Sequence, residues 1–163
     1  MGARRKAREL ALQMLFQYDM AGNEPDTIVT TFEDLQKSKA NTREFAVRIF
    51  RGTVDHLSDI DEMIQAQAEN WRLSRMAVVD RNIIRMSVYE FLHESETPKL
   101  VVIDEAIEIA KRFGTEDSGR FVNGILDRVL QGQVPAPRPP SEPAPSATEP
   151  DPTPTEPTAE EIL

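Results

Sequence analysis

The chain of 163 residues contains no cysteine, which excludes disulfides, thiolate metal sites and cysteine nucleophiles. It also lacks the unbroken run of about 18 apolar residues that a membrane-spanning helix needs. Glu9, Gln13 and Gln17 interrupt the apolar stretch behind the basic N-terminus, whereas a signal peptide needs a continuous apolar core there. We therefore expect a cytoplasmic protein without membrane association.

Signals of catalysis are scarce as well. His56 and His93 are the only histidines, and their spacing is not that of metal ligands. We find no glycine-rich phosphate loop and no nucleophile motif. Two groups of carboxylates lie in charge-rich helical segments and are interpreted as solvated faces: Glu105 with Glu108, and Asp59, Asp61 with Glu62. We expect no enzyme, no cofactor and no metal site.

Proline is rare in most of the chain and concentrated at its end. Ten of the twelve prolines lie between Pro135 and Pro157, where almost nothing apolar could be buried. From Gln133 onward there are six acids and one base, so this segment carries −5 of the net charge of −9. We predict a domain over residues 1–132 and a disordered, partly polyproline-II, acidic tail over residues 133–163.

The domain shows the periodicity of about seven α-helices and no convincing strand, which predicts an all-α fold. The fifth helix, near Arg75–His93, is apolar almost all round and should lie at the centre. In the fourth, which Ser58 caps, Trp71 is expected on the inner side with Ile60 and Ile64. The predicted helices cover Arg4–Met20, a weaker one from Pro25, one opened by Asn41, one from Ser58, Arg75–His93, one carrying Ile103–Ala110 and ended by Gly114, and Thr115–Leu130.

The first helix offers two faces. At 100° per residue, Phe16 points about 180° away from Ala7 and so lies off the apolar stripe. Either it is buried against a second subdomain or it belongs to a surface for a partner.

Four cations crowd the start of the same helix: Arg4, Arg5, Lys6 and Arg8. Cations are disfavoured at a helix N-terminus, so a phosphate ligand would explain them, although such runs are also common on solvated surfaces. A nucleic acid responds to this local field over about a Debye length, roughly 8–10 Å, and not to the net charge of the whole chain.

A second polar segment opens the last helix with Asp117, Ser118, Gly119, Arg120 and Phe121. One interpretation is structural, with Asp117 as a cap and close helix packing at the glycines. The other is a helix start that stacks and hydrogen-bonds unpaired bases, as single-stranded RNA is usually read.

Together these segments resemble the NusB transcription antitermination family. The arginine-rich helix Arg4–Tyr18 is similar to that family's N-terminal helix, and Pro98–Gly114 with Phe121–Asp127 resembles its C-terminal signature. The resemblance covers about residues 4–131, with both motifs in the expected order.

The resemblance implies two small helical bundles at right angles. It implies binding to boxA RNA together with ribosomal protein S-ten (NusE), within an antitermination complex on RNA polymerase that serves chiefly ribosomal RNA synthesis; a homodimer stays open. It further implies roles for single residues. Arg4, Arg5, Lys6 and Arg8 would meet RNA phosphates; Asp117, Ser118, Gly119, Arg120 and Phe121 would line the RNA path; Phe16 and Asp80 would face NusE.

The competing hypothesis is a helical scaffold that binds proteins but not RNA. In that case the basic cluster is ordinary solvated surface. An RNA titration at two salt concentrations separates the two hypotheses, because phosphate contacts make binding salt-dependent.

Overall fold

A computed structural model describes residues 2–68 and 70–133 of the chain. Within these ranges it contains eight α-helices, one 3₁₀ turn and no strand. The helices are α1 (Gly2–Ala21), α2 (Pro25–Thr31), α3 (Glu33–Gln36), α4 (Ala40–Asp55), α5 (Leu57–Gln67), α6 (Val78–His93), α7 (Lys99–Phe113) and α8 (Ser118–Gln133), and the 3₁₀ turn is Leu73–Arg75. The tail predicted over residues 133–163 lies outside the described residues, except for Gln133 at the end of α8.

The all-α prediction is confirmed, but several helix boundaries differ from expectation: α5, for example, begins at Leu57 behind His56 and not behind Ser58. The predicted second helix is divided into α2 and α3 at Phe32, whose backbone is extended with φ −78° and ψ 103°. The predicted fifth helix begins at Val78 and not at Arg75, because Met76 and Ala77 have extended backbones behind the 3₁₀ turn. Gly114 ends α7 as expected.

The helices pack as two groups. Helices α1 to α4 contact one another, α5 to α8 do the same, and α6 joins the groups by packing on α1 and α4. The central position predicted for the fifth helix is confirmed for α6, since every residue from Asn82 to Phe91 is buried. None of the helices described is long and apolar enough to cross a membrane.

Asp19 on α1 makes a polar junction between the two groups. Its Oδ2 accepts hydrogen bonds from Arg81 Nη2 at 2.7 Å, Asn82 Nδ2 at 3.0 Å and Arg85 Nη1 at 3.1 Å. Burial raises the pKa of Asp19, but the bonds from Arg81 and Asn82 outweigh it and hold that pKa below its ordinary value. Arg85 also bonds Asp61 at 2.7 and 2.9 Å, so Asp61 is not part of a freely solvated face.

Gly52 on α4 lets an aromatic side chain approach the helix backbone. A Cβ built on Gly52 would collide with the ring of Tyr89 on α6. That ring is 7% exposed, and His93 stacks on it with centroids 5.0 Å apart. Because the ring is enclosed, it has little room to move aside.

We predict that Gly52→Ala lowers the free energy of unfolding by about 1–3 kcal/mol, since a methyl group overpacks the contact with Tyr89. Gly124→Ala is the matched control. Gly124 lies in α8 with nothing within 4 Å of an added Cβ, so the same substitution there should raise stability by about 0.5–1 kcal/mol. Urea denaturation of both variants measures the difference, and a Gly52→Ala protein as stable as the control would contradict the packing argument.

Candidate nucleic-acid and protein interface

The four cations at the start of α1 have different surroundings, because successive residues of a helix point about 100° apart. Arg4 and Lys6 are exposed. The guanidinium of Arg4 lies over the ring of Phe45 on α4, with its Cζ 4.6 Å from the ring centroid. A cation held above an aromatic face is oriented without losing its charge, so Arg4 remains able to meet an anion.

Arg5 is half-exposed and ion-paired. Its Nε and Nη2 donate to the two carboxylate oxygens of Glu105 on α7, at 2.8 and 3.0 Å. The bond from Arg5 lowers the pKa of Glu105 below its ordinary value, and the same bond raises the pKa of Arg5. Glu105 is only 5% exposed, so the interpretation of this carboxylate as part of a solvated face was wrong.

Arg8 does not belong to the exposed cluster that the sequence suggested. Its side chain is 4% exposed, and it donates two hydrogen bonds, of 2.9 and 2.8 Å, to both oxygens of Glu90 on α6. The expectation that Arg8 meets an RNA phosphate is therefore corrected. The charge of Arg8 is neutralised inside the protein by Glu90, and this buried bidentate pair holds α1 against α6.

Further along α1, a groove crosses the surface, formed by three adjoining cavities of 150, 280 and 300 Å³. It lies between α1, the start of α6 and the turn from α7 to α8. The first two cavities share Phe16, Val79 and Phe113, while the second and third share Ala77, Asp80, Thr115 and Ser118. We call this continuous surface the groove.

The groove brings together residues from both predicted sites. Phe16, which is 42% exposed, lies at one end, and Asp117 with Phe121 lies at the other. Asp80 lines the middle. Residues that the resemblance assigned separately to a protein and to RNA therefore share one continuous surface.

Asp80 has an unusual environment. It is 8% exposed, and its Oδ1 is buried without a hydrogen-bond partner among the described residues. The first turn of α6 favours a negative charge, but a buried carboxylate oxygen still needs a donor. A donor arriving in the groove could supply that bond.

The start of α8 is partly structural. Ser118 is 1% exposed and its Oγ accepts from the backbone N–H of Thr115 at 2.9 Å. Gly119 is buried against Ile107 and Lys111, with ordinary contact distances of 3.6 Å for an added Cβ, so no exceptionally close packing requires this glycine. Arg120 is exposed. Of these predicted RNA residues, Ser118 and Gly119 shape the turn and expose little of their own surface.

Trp71 is a site residue whose position was predicted wrongly from the sequence. Helix α5 ends at Gln67, and Trp71 is 53% exposed, not on the inner side of a helix. Its ring packs edge-to-face on Phe121, with centroids 5.8 Å apart. The segment is fixed by Gln65, whose Nε2 donates to the carbonyl of Trp71 at 3.1 Å.

Arg112 is an exposed cation next to the groove that the sequence did not predict as a site residue. Its side chain is 65% exposed although Nη1 donates to Glu9 at 2.7 Å. Its Cζ lies 5.2 Å from the ring centroid of Phe113, which lines the groove. The sequence placed Arg112 in the last turn of a helix, where a cation needs no further explanation, so no signal singled it out.

Comparison with known proteins identifies the fold and its relatives. A sequence profile described as "NusB family" matches residues 5–131. The chain belongs to the NusB family. It is 49% identical over 138 residues to the transcription antitermination protein NusB of Symbiobacterium thermophilum, covering 80% of this chain and 90% of the relative. It is 48% identical over 130 residues to that of Geobacter sulfurreducens, covering 79% and 94%.

Solved NusB structures have the same fold. T. maritima NusB superimposes with a TM-score of 0.71 at 44% identity, covering 78% of this chain and 90% of that one. A chain from a crystal structure of the antitermination factors NusB and NusE in complex with double-stranded RNA superimposes with a TM-score of 0.73 at 25% identity, covering 81% and 98%. In this NusB-family chain, the groove and the exposed cations of α1 are the surface to test.

The different roles of Arg8 and Arg4 can be tested by stability. Arg8→Ala should lower the free energy of unfolding by about 3–5 kcal/mol, because it leaves the Glu90 carboxylate buried and unpaired. Arg4→Ala should change stability by no more than about 1 kcal/mol, since it removes one exposed cation–π contact. Chemical denaturation of both proteins gives the comparison. Equal, small effects would show that Glu90 does not depend on Arg8.

Proposed function

We propose that this chain is a transcription antitermination factor that binds boxA RNA together with ribosomal protein S-ten (NusE). It then joins an antitermination complex on RNA polymerase in the cytoplasm, chiefly during ribosomal RNA synthesis. Family membership supports this proposal, as do relatives that carry the antitermination name. The observation that carries it is the groove, which unites the aromatic and acidic residues of both predicted sites and is lined by Leu12, Gln13 and Phe16 of the same helix that begins with the exposed cations.

The RNA would lie along the cations of α1 and the Phe121 end of the groove. Arg4 and Lys6 supply the phosphate contacts, and Arg5 supplies a weaker one because Glu105 already neutralises it. The exposed ring of Trp71 and the half-buried ring of Phe121 offer surfaces on which unpaired bases can stack. Asp117 and Arg120 add exposed polar groups beside them.

NusE would occupy the Phe16 end. Phe16 and Met20 are 42% and 60% exposed on α1, which makes a small apolar surface. Asp80 adds a carboxylate oxygen that lacks a donor among the described residues. A protein partner that covers the apolar surface and donates one hydrogen bond would satisfy both features.

The alternative function is a helical scaffold that binds protein partners without RNA. The apolar lining of the groove would serve that role equally well. What separates the two functions is whether the exposed cations of α1 contact phosphate.

We predict that Phe16→Asp weakens NusE binding by roughly tenfold or more, because a charge would have to be desolvated in an apolar contact. Stability should hardly change, since Phe16 lies outside the core stripe. Leu100→Asp is the matched control: Leu100 is 71% exposed at the start of α7 and does not line the groove. Calorimetric titration with NusE measures both variants, and similar weakening by both would remove Phe16 from the interface.

Removing Arg4 and Lys6 together should reduce the salt dependence of RNA binding. Each phosphate contact on a single strand contributes about −0.7 to the slope of log K against log salt, so Arg4→Ala/Lys6→Ala should flatten the slope by about 1.4. The change should be similar for boxA and scrambled RNA, because phosphate contacts carry no sequence information. Fluorescence anisotropy over a salt series measures the slopes.

The same titration with Phe121→Ala serves as the contrast. Loss of a stacking surface should cost about 1–3 kcal/mol of binding with little change in slope, once circular dichroism shows that the half-buried site still folds. If the Arg4→Ala/Lys6→Ala protein keeps both its affinity for RNA and its salt slope, the protein-binding scaffold explains the structure better than the RNA-binding function.

A further inference from the structure

A second cavity, separate from the groove, opens beside the first turn of α1. It has a volume of 360 Å³ and lies between α1 and the segment that leads from α3 into α4. Three lysines line it, together with small and hydroxyl-bearing residues and no acid: Lys6, Lys37 and Lys39, with Gly2, Ala3, Ser38 and Thr42. We call Lys6, Lys37 and Lys39 the lysine pocket.

The charges of the lysine pocket are largely uncompensated. In the described part of the chain, Lys6 and Lys39 make no side-chain hydrogen bond or ion pair. Lys37 lies 3.9 Å from Glu33, but both side chains are more than three-quarters exposed, and such a surface pair contributes little. Three like charges around one cavity repel each other and favour an anion between them.

The backbone reinforces this preference. Helices α1 and α4, of 20 and 16 residues, both begin at the cavity, and neither has an acidic residue in its first turn. Lys39 is the residue at the N-cap of α4, and its side chain makes no capping hydrogen bond. Cations at two helix starts cost stability unless an anion joins them, since helix N-termini themselves attract negative charge.

Along α1, the lysine pocket lies close to one end of the groove. Lys6 and Gln13 are seven residues apart, which places them about 20° apart around the helix and about 10 Å apart along it. Gln13 lines the groove. An RNA extension that leaves the groove along α1, beside the surface proposed for NusE, can therefore reach the lysine pocket.

We propose that the lysine pocket binds the sugar–phosphate backbone of the same RNA, beyond the nucleotides held at the groove. Lys37 and Lys39, which come from the α3–α4 segment and not from α1, extend the phosphate-binding surface to nucleotides that flank the recognised element. The contact is independent of base sequence and adds affinity for longer RNA. This inference rests on the proposed function, because it needs an RNA already held at the groove.

The test uses the full chain and three single-stranded RNAs: the boxA element alone, and the element extended by about ten nucleotides at the 5′ or the 3′ end. Anisotropy titrations over a salt series compare the unchanged protein with Lys37→Ala/Lys39→Ala. On one of the extended RNAs, the slope of log K against log salt should be shallower by about 1.4 for the double variant. When salt is lowered from 200 to 50 mM, its affinity should therefore rise about sevenfold less than that of the unchanged protein. On the short RNA its slope should stay close to that of the unchanged protein.

Two further variants act as controls. Lys99→Ala/Arg128→Ala removes the same net charge at exposed positions that line neither the groove nor the lysine pocket, and should leave all slopes unchanged. Lys37→Arg/Lys39→Arg keeps the charges and should retain the slope on the extended RNA.

The outcomes separate the two proposals. If Lys37→Ala/Lys39→Ala keeps its slope on every RNA while Arg4→Ala/Lys6→Ala loses it, the lysine pocket is not an RNA site and the proposed function stands. The inference is also overturned if Lys37→Ala/Lys39→Ala weakens the binding of NusE but leaves the binding of every RNA unchanged. If the unchanged protein binds none of the RNAs, both the proposed function and the inference fail.

Discussion

Between the two helical groups, the guanidinium of Arg8 on α1 donates to both carboxylate oxygens of Glu90 on α6, at 2.9 and 2.8 Å. Neither side chain has appreciable contact with solvent, so either charge left alone would carry the full desolvation penalty. Because both oxygens of Glu90 are bonded, this pair favours the rotation and axial position of α1 against α6 that the structure shows. In that position Arg5 meets Glu105, Glu9 meets Arg112 and Asp19 meets Arg81, and Phe16 is set at the edge of the groove.

The same need to pair buried charges explains why arginines and lysines occupy different positions in this protein. Arg8, Arg81 and Arg85 are all engaged in buried or partly buried bonds that use the planar, multi-donor guanidinium. The lysines around the start of α1 stay at the surface. The net charge of −9 therefore says little about ligands; what matters is which cations remain unpaired after the core has formed.

The periodicity of neighbouring residues predicted the helices and some of the exposed site residues. It could not predict the ion pairs and ring contacts between residues that are distant in sequence. The position of Phe16 off the core stripe and the central place of α6 could be predicted, because both follow from residues that are close in sequence. Arg8 and Glu105 were misjudged because their partners are 82 and 100 residues away. Trp71 was placed inward because no proline or glycine marks the end of α5 at Gln67. Its packing on Phe121 links residues 50 positions apart, and no periodicity reports such a contact.

The distant partners of α1 have a consequence for how the chain is made. Helix α1 leaves the ribosome before the other helices described, but Glu90, Glu105 and Arg112 lie 82, 100 and 103 residues beyond the α1 side chains they bond. At roughly 5–20 residues per second, α1 waits about 4–16 s for Glu90 to be synthesised. During that time its apolar stripe can be covered by α4, but the side facing α6 and α7 stays open. Helix α1 thus waits through about 100 residues of synthesis for its full set of side-chain partners, and closing such long loops should limit the folding rate of the domain.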